Sequence, residues 1–323
     1  MLAGATGYIG ARVAQELLEH GYALVCPVRD PQSNRARALT ALSQSIQSAS
    51  LSLVHCDLAD REATLRALGT QRVDAICSCI ASRRGGAQDS ELVEYVANSN
   101  LLEWGMDLGI RQFSLLSAIC VQKPRLAFQR AKLRFEESLI ASGLTHSIVR
   151  PTAFFKSLSG QLNRVRGGKP FLVFGDGTLT RCKPIAEADL AHYIRLTLED
   201  DALQGVLPVG GPGPAIAPLD QAHMLATLTN QPLRIRSVSP ALLRGIATVL
   251  DIPGKVFTAM ADKAEFARIG HYYATESMLL WDPHNARYDD KATPEFGSVT
   301  LKESYVAQLA GDESQQLGEQ AVF

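Results

Sequence analysis

The chain has 323 residues, 46% of them hydrophobic and 20% charged, with a formal net charge of −1. That is the composition of a globular protein with a sizeable core, long enough for one large α/β unit or a core with a smaller appended region. Near-zero charge offers no positive surface to nucleic-acid phosphates, and no apolar run reaches the ~20 residues that cross a bilayer.

Gly4-Ala5-Thr6-Gly7-Tyr8-Ile9-Gly10 reads as a G-x-x-G-x-x-G turn opening a helix with Val13, Leu17 and Leu18 on one face. Its glycines let the backbone approach a pyrophosphate, and a helix N-terminus presents N–H groups. Gly4, Thr6, Gly7, Tyr8, Ile9 and Gly10 are therefore the expected phosphate cradle. Only Met1, Leu2 and Ala3 precede it, so the first strand is expected to be truncated, and no signal peptide is expected ahead of so early a loop. Tyr22 to Val28 is strand-like and ends at Arg29, where selectivity for NAD calls for Asp or Glu. An Arg there suits a 2′-phosphate and predicts NADPH; the alternative is a solvated Arg after a strand.

Leu51 to His55 predicts a third strand, and the following Asp57 can accept from the adenine amino group, cap the helix that begins near Asp60, or do both. Val73 to Cys79 is a continuous apolar run, as buried parallel strands usually are. It ends in Ile80-Ala81-Ser82, where small Ala81 and Ser82 leave room for a cofactor ribose. Gln112 to Ser117 and Thr145 to Val149 are further strands. Strands alternating with helices on this rhythm predict an α/β fold, a Rossmann-like doubly wound parallel sheet with its sites at the strands' C-terminal ends. Six cysteines lie mostly in such apolar runs, and no cluster has metal-ligand spacing, so reduced structural thiols and no metal site are expected.

After Pro151 the rhythm changes. Turn signals bracket a short strand at Phe171 to Phe174, and a helix begins at Glu187. Gly210-Gly211-Pro212-Gly213-Pro214 reads as a rigid loop and not as a second phosphate cradle, because its prolines lack donors. Pro240 to Lys263 is helical, and Glu265 to Trp281 is rich in aromatics. The expected organisation is an NADP-binding core over residues 1–150, a smaller C-terminal substrate-binding region over 151–310 interleaved with it, and a loosely ordered polar tail over 311–323.

The stretch LLSAICVQKPRLAFQRAK, from Leu115 to Lys132, resembles a short-chain dehydrogenase/reductase active site: Ser117 ends a strand and a helix follows with the spacing of Y-x-x-x-K. Phe128 stands at the Tyr position, while Lys132 is retained. A phenol is what such enzymes use to protonate a carbonyl oxygen, so nicotinamide binding is expected and carbonyl reduction is not. In that pattern the Lys binds the nicotinamide ribose hydroxyls and biases nearby proton transfers. Ser117 either hydrogen-bonds the nicotinamide amide or a water, or simply ends the strand. Phe128 is either an apolar wall of the site or an ordinary packed Phe, and Cys120 reads as packing.

The blocks GATGYIG, LLSAICVQKP, FQRAK, SIVRPTAFFKSLSGQ, VFGDGT, CKPI, LPVGGPG and YYATESML occur in this order. They closely resemble the NADPH-dependent 3,8-divinyl (proto)chlorophyllide 8-vinyl reductases of plants and photosynthetic bacteria, a family of atypical short-chain dehydrogenases/reductases. The similarity runs from Gly4 almost to the LGEQ tail, well beyond the cofactor half. It implies an oxidoreductase that reduces an 8-vinyl group to ethyl with NADPH, in chlorophyll or bacteriochlorophyll biosynthesis. The partner it implies is a magnesium tetrapyrrole, divinyl chlorophyllide or protochlorophyllide. A flat macrocycle with an ionised propionate needs an apolar slot and a cation at its rim. Arg150, Phe154, Phe155 and Lys156 supply both, unless the two Phe are core and Lys156 is solvated. Tyr272 and Tyr273 are candidates for closing the slot, whereas a lone His271 is no firm magnesium ligand. The resemblance further implies a bacterial cytoplasmic protein, or one held peripherally at the photosynthetic membrane. Two other readings compete: a non-catalytic NADP(H)-sensing regulator of the NmrA type, and an isoflavone-reductase-like alkene reductase.

Overall fold

The computed structural model of the chain describes residues 1–47, 49–69, 71–82, 85–254 and 258–311. These divide into two compact units, one made of residues 1–82, 87–150 and 190–207, the other of 85–86, 151–189 and 208–311. The first unit opens with β1 (Leu2–Ala3), α1 (Tyr8–Glu19), β2 (Ala23–Val28), α2 (Asn34–Ser45), β3 (Ser50–His55), α3 (Arg61–Leu68) and β4 (Ala75–Ser78). Helix α4 (Ala87–Ser90) passes through a π-helical turn (Glu91–Val96) into α5 (Ala97–Leu108). Then follow β5 (Gln112–Leu116), a 3₁₀ turn at Ile119–Gln122, α6 (Ala127–Ala141) and β6 (Thr145–Pro151).

The second unit begins with α7 (Phe155–Leu158), α8 (Leu162–Arg166) and β7 (Phe171–Phe174); α9 (Glu187–Leu196) carries the chain back to the first unit before β8 (Gly205–Val209). Its remaining elements are α10 (Pro218–Leu228), β9 (Ile235–Val238), α11 (Pro240–Gly254), α12 (Thr258–Thr275), β10 (Leu280–Asp282), β11 (Arg287–Asp289) and α13 (Leu301–Ala310). The tail expected to be loosely ordered lies, beyond Gly311, outside the described residues.

The main sheet has the order β1-β4-β5-β6-β8, with β1, β4, β5 and β6 pairing in parallel. Strands β2 and β3 form a separate parallel pair. This is an α/β fold with a parallel central sheet. Two residues of β1 join the ladder, Leu2 opposite Cys77 and Ala3 opposite Ser78. Strand β5 is buried along its whole length, as central parallel strands usually are. Its two polar side chains are satisfied by the returning segment: Gln112 donates to the Thr197 carbonyl, and the Ser114 and Thr197 hydroxyls bond at 2.8 Å.

Helix α1 buries Ile9, Val13 and Leu17 at helical spacing, together with Gly10, Ala14 and Leu18. The core of this unit packs Ile76, Leu101, Phe113, Phe135, Leu139 and Ile148, the two Phe rings lying 5.7 Å apart. Burying each ring removes apolar area worth about 1.5–3 kcal/mol.

A separate core in the second unit joins Phe155, Val165, Phe171, Leu225 and Tyr305. The Tyr305 hydroxyl donates to the Leu158 carbonyl at 2.8 Å and accepts from Gln221, and burial pushes its phenol well up. The Gly210-Gly211 loop has its amides occupied, Gly210 donating to Pro294 at 2.8 Å and Gly211 to Lys183 at 3.1 Å. A Cβ on Gly211 would stand 1.9 Å from the Pro184 oxygen, so these glycines serve close backbone packing. Among the described residues no helix is long and apolar enough to cross a membrane.

Candidate active site

The glycine loop sits where β1 meets the C-terminal end of β4. Gly4 adopts φ +80°, and a Cβ there would lie 2.6 Å from the Cys79 carbonyl oxygen. At Gly10 a Cβ would lie 2.1 Å from the Gly4 oxygen, so the turn closes only without side chains. Gly7 is the N-cap of α1 and brings no side chain to its first-turn amides, and no acidic residue follows in that turn. The arrangement suits an anionic phosphate and fits the expected dinucleotide. Thr6 and Tyr8 are partly exposed in this loop, whereas the Ile9 side chain is core, so what Ile9 offers is backbone.

Arg29 is exposed one residue beyond β2, and Asp57 is exposed beyond β3. The capping alternative for Asp57 is corrected by the structure: Asp60 caps α3 by accepting from the Ala63 N–H at 2.9 Å, while Asp57 accepts from Ala59 at 3.1 Å. Ala81 is exposed beyond β4. Ser82 is held by two carboxylates, its N–H donating to Glu94 Oε1 at 2.8 Å and its hydroxyl to Asp89 Oδ2 at 2.6 Å. Neighbouring Cys79 has its thiol pushed well up, first by a hydrogen bond with Cys77 and then by burial, so it is no nucleophile.

Ser117 lies just past β5, its N–H bonded to the Val149 carbonyl at 2.7 Å. Its hydroxyl donates to Glu136 Oε1, and the Arg150 guanidinium binds both oxygens of the same carboxylate. Glu136 is 0% exposed. On α6, one turn before Glu136, the Lys132 ammonium stands 2.7 Å from Glu94 Oε2, with Lys132 at 8% and Glu94 at 2% exposure. Phe128 is partly exposed on the first turn of that helix. The turn is closed by Gln129, whose side-chain oxygen accepts from the Arg125 and Leu126 N–H groups at 2.8 and 3.0 Å. One unit therefore brings together the glycine loop, the end of β4, Ser117 and Lys132. Glu94 and Glu136 complete the arrangement and were not singled out from sequence. Their signal is weak: Glu136 shares a helix face with Lys132, four residues away, between Phe135 and Leu139.

Of the expected slot residues, Arg150 is partly exposed, with Nε and one terminal nitrogen bound to Glu136. Phe155 is 1% exposed within the core of the second unit. Phe154 is partly exposed, as expected of a slot residue. Lys156 is buried, its backbone N–H donating to Glu187 Oε1 at 3.1 Å. Tyr272 is 3% exposed and stacks edge-on with the less buried Tyr273 at 5.7 Å, so Tyr272 closes no surface slot of its unit.

A family profile described as NAD(P)H-binding matches residues 4–201. The chloroplastic divinyl chlorophyllide a 8-vinyl-reductase of Zea mays is 44% identical over 331 residues, covering 100% of this chain and 82% of its own length. The enzyme of the same name from Cucumis sativus is 43% identical over 332 residues, covering 100% and 79%. Among solved structures, the NADPH-dependent quinone oxidoreductase QOR2 of Escherichia coli, complexed with NADPH, superposes with a TM-score of 0.68. It covers 95% of this chain and 99% of its own at 19% identity, a likeness of fold alone. With the NAD(P)H-binding part and the second unit both inside the matched length, the chain belongs to the divinyl chlorophyllide a 8-vinyl-reductase family.

Proposed function

We propose that the chain is an NADPH-dependent oxidoreductase that converts the 8-vinyl group of a divinyl chlorophyllide to ethyl, a step of chlorophyll biosynthesis. The observation that carries this reading is identity of 43% and 44% to two 8-vinyl-reductases across 100% of the chain, not across its cofactor-binding part alone. The finer identification of the substrate as a magnesium tetrapyrrole, chlorophyllide or protochlorophyllide, belongs to the same proposal.

Reducing a vinyl to ethyl adds a hydride to one carbon and a proton to the other. NADPH, when bound, supplies the hydride. Charge that develops on a vinyl conjugated to a macrocycle spreads into the ring, so no phenol is needed beside a carbonyl oxygen. Phe128 at the Tyr position is compatible with that chemistry. Ser117 gives its hydroxyl proton to Glu136 and so offers only lone pairs, which suits it to accept from an amide and not to act as the acid. The Lys132 ammonium, paired with Glu94 at 2.7 Å, has three N–H donors that can serve ribose hydroxyls. Exposed Arg29, one residue beyond β2, would favour a 2′-phosphate.

The test is an absorbance and chromatographic assay of the purified protein with divinyl chlorophyllide and NADPH. A blue shift of the Soret band with a monovinyl product, slower with NADH, is the expected result. NADPH binding with no change in the pigment would overturn the proposal and favour the NmrA-like sensor.

A further inference from the structure

Helix α5 is not entered by a plain α-helix. Over Glu91–Val96 the chain forms a π turn, in which the Ala97 N–H bonds the Leu92 carbonyl five residues back. Such turns are rare, strain the local ladder and recur at functional sites. This one is supported by named groups. The Asn98 side-chain amide donates to the Glu94 carbonyl at 2.9 Å and to the Val93 carbonyl at 3.4 Å. Asn98 is itself held by the Ser78 hydroxyl of β4. Ser78, Asn98 and Glu94 are all buried.

The π turn is also fastened to α6. Arg134, two residues past Lys132, pairs with Glu91 and places its guanidinium 3.5 Å from the centre of the Tyr95 ring. Between these contacts Glu94 directs one carboxylate oxygen to Lys132 and the other to the Ser82 N–H. A carboxylate held at both oxygens fixes where the ammonium facing it sits.

We infer that Glu94, set by the π turn and its Ser78–Asn98 support, is a positioning residue that holds the Lys132 ammonium in place and aims it for the cofactor. Glu94 acts only through Lys132 and makes no contact of its own with a substrate. The inference rests on the NADPH-binding part of the proposed function and is independent of which pigment is reduced. Glu94→Gln is the discriminating change: a Gln oxygen can still accept from Ser82, but the charge facing Lys132 is gone.

The experiment is a double-mutant cycle on NADPH affinity, read by cofactor fluorescence titration of the full chain, with Glu94→Gln, Lys132→Met and the double variant. Residues in contact commonly show coupling equivalent to about 2- to 150-fold. The expected result is a loss of affinity of about 10-fold for Glu94→Gln in the native background and under about 2-fold in the Lys132→Met background. Equal losses in both backgrounds would mean that Glu94 merely supports the fold, and the inference would be overturned. Should Glu94→Gln not fold, Ser78→Ala leaves both charges in place and is read the same way, with an expected loss of about 3-fold that vanishes without the Lys132 ammonium. Wild-type protein that binds NADPH but leaves the pigment untouched sinks the pigment reading and leaves this inference intact. Wild-type protein that does not bind NADPH overturns both.

Discussion

Two ion pairs made by or to helix α6, Arg150–Glu136 and Lys132–Glu94, differ in how each carboxylate is held. Arg150 presents Nε and a terminal nitrogen to both oxygens of Glu136, and the remaining capacity of that carboxylate goes to Ser117. Lys132 pairs with one Glu94 oxygen at 2.7 Å, and the other Glu94 oxygen goes to a backbone amide. The first pair commits its carboxylate to side chains and braces α6 against the end of β6, whereas the second ties α6 to the backbone beyond β4. The partners also differ in how they respond to losing each other. A guanidinium cannot shed its proton inside a protein, whereas an amine or a carboxyl can become neutral.

That contrast can be broken at several points. The largest expected effect is on stability: Glu136→Gln strands the Arg150 cation and should cost about 3–5 kcal/mol in urea unfolding. A loss below about 1 kcal/mol, the scale of an exposed pair, would show that Arg150 finds water instead. Lys132→Met should act mainly on rate, lowering kcat/KM at least about 100-fold while destabilising less than Glu136→Gln. Steady-state turnover beside urea midpoints checks both halves, and the reverse ranking of stabilities would refute the comparison.

Ser117→Ala removes one bond to Glu136 but leaves Arg150 in place, so a stability change of about 1 kcal/mol is expected. Weaker NADPH binding without a change in the chromophoric product would accompany it, readable in the same titration. The smallest effect belongs to a pair in the second unit between buried Lys183 and exposed Glu295. Glu295 is held below its usual carboxylate range, first by the Lys183 ammonium and then by the Gly213 N–H. A depressed carboxylate contributes its stability above the unfolded value, about 4.5, and loses it as pH falls through the folded value. Glu295→Gln should therefore lower Tm modestly at neutral pH, with the difference from wild type shrinking as pH falls below about 4.5, so that the acid limb flattens. An unaltered acid limb would remove Glu295 from the account.

The parts of this site written in backbone terms could be read from the chain. Gly4, Gly7 and Gly10 announce a loop that tolerates no Cβ, and the structure places a carbonyl oxygen against the Cβ position of Gly4 and of Gly10. Strand β7 was expected at Phe171 to Phe174 and forms there, because turn signals bound it on both sides. Glu94 and Glu136 were not legible for a physical reason: a charged residue within a helical pattern reads as solvated unless its partner, tens of residues away, is known. A π turn also breaks the 3.6-residue period on which such readings rest. The pair Phe154-Phe155 misled because adjacent residues were assigned one role. Phe154 is extended, at φ −89° and ψ 151°, ahead of the short helix α7. Neighbouring side chains there diverge, so Phe155 enters the core while Phe154 stays partly exposed.

The π turn has a consequence for the tolerance of this chain to insertion and deletion. A π turn accommodates one residue more than the α-helical path between the same flanks, and one residue of α-helix corresponds to a rotation of about 100°. Deleting a single residue within Glu91–Val96 would let α4 and α5 fuse into one regular helix, better bonded along its own ladder. The segment on one side of the deletion would then turn by roughly that angle relative to the other. Glu91, Glu94 and Tyr95 could no longer all face α6 while Asn98 kept its hold on Ser78. A change that makes the helix more regular is thus expected to dismantle the support of Lys132, and the reading frame of these six residues is constrained more tightly than their chemical identities suggest.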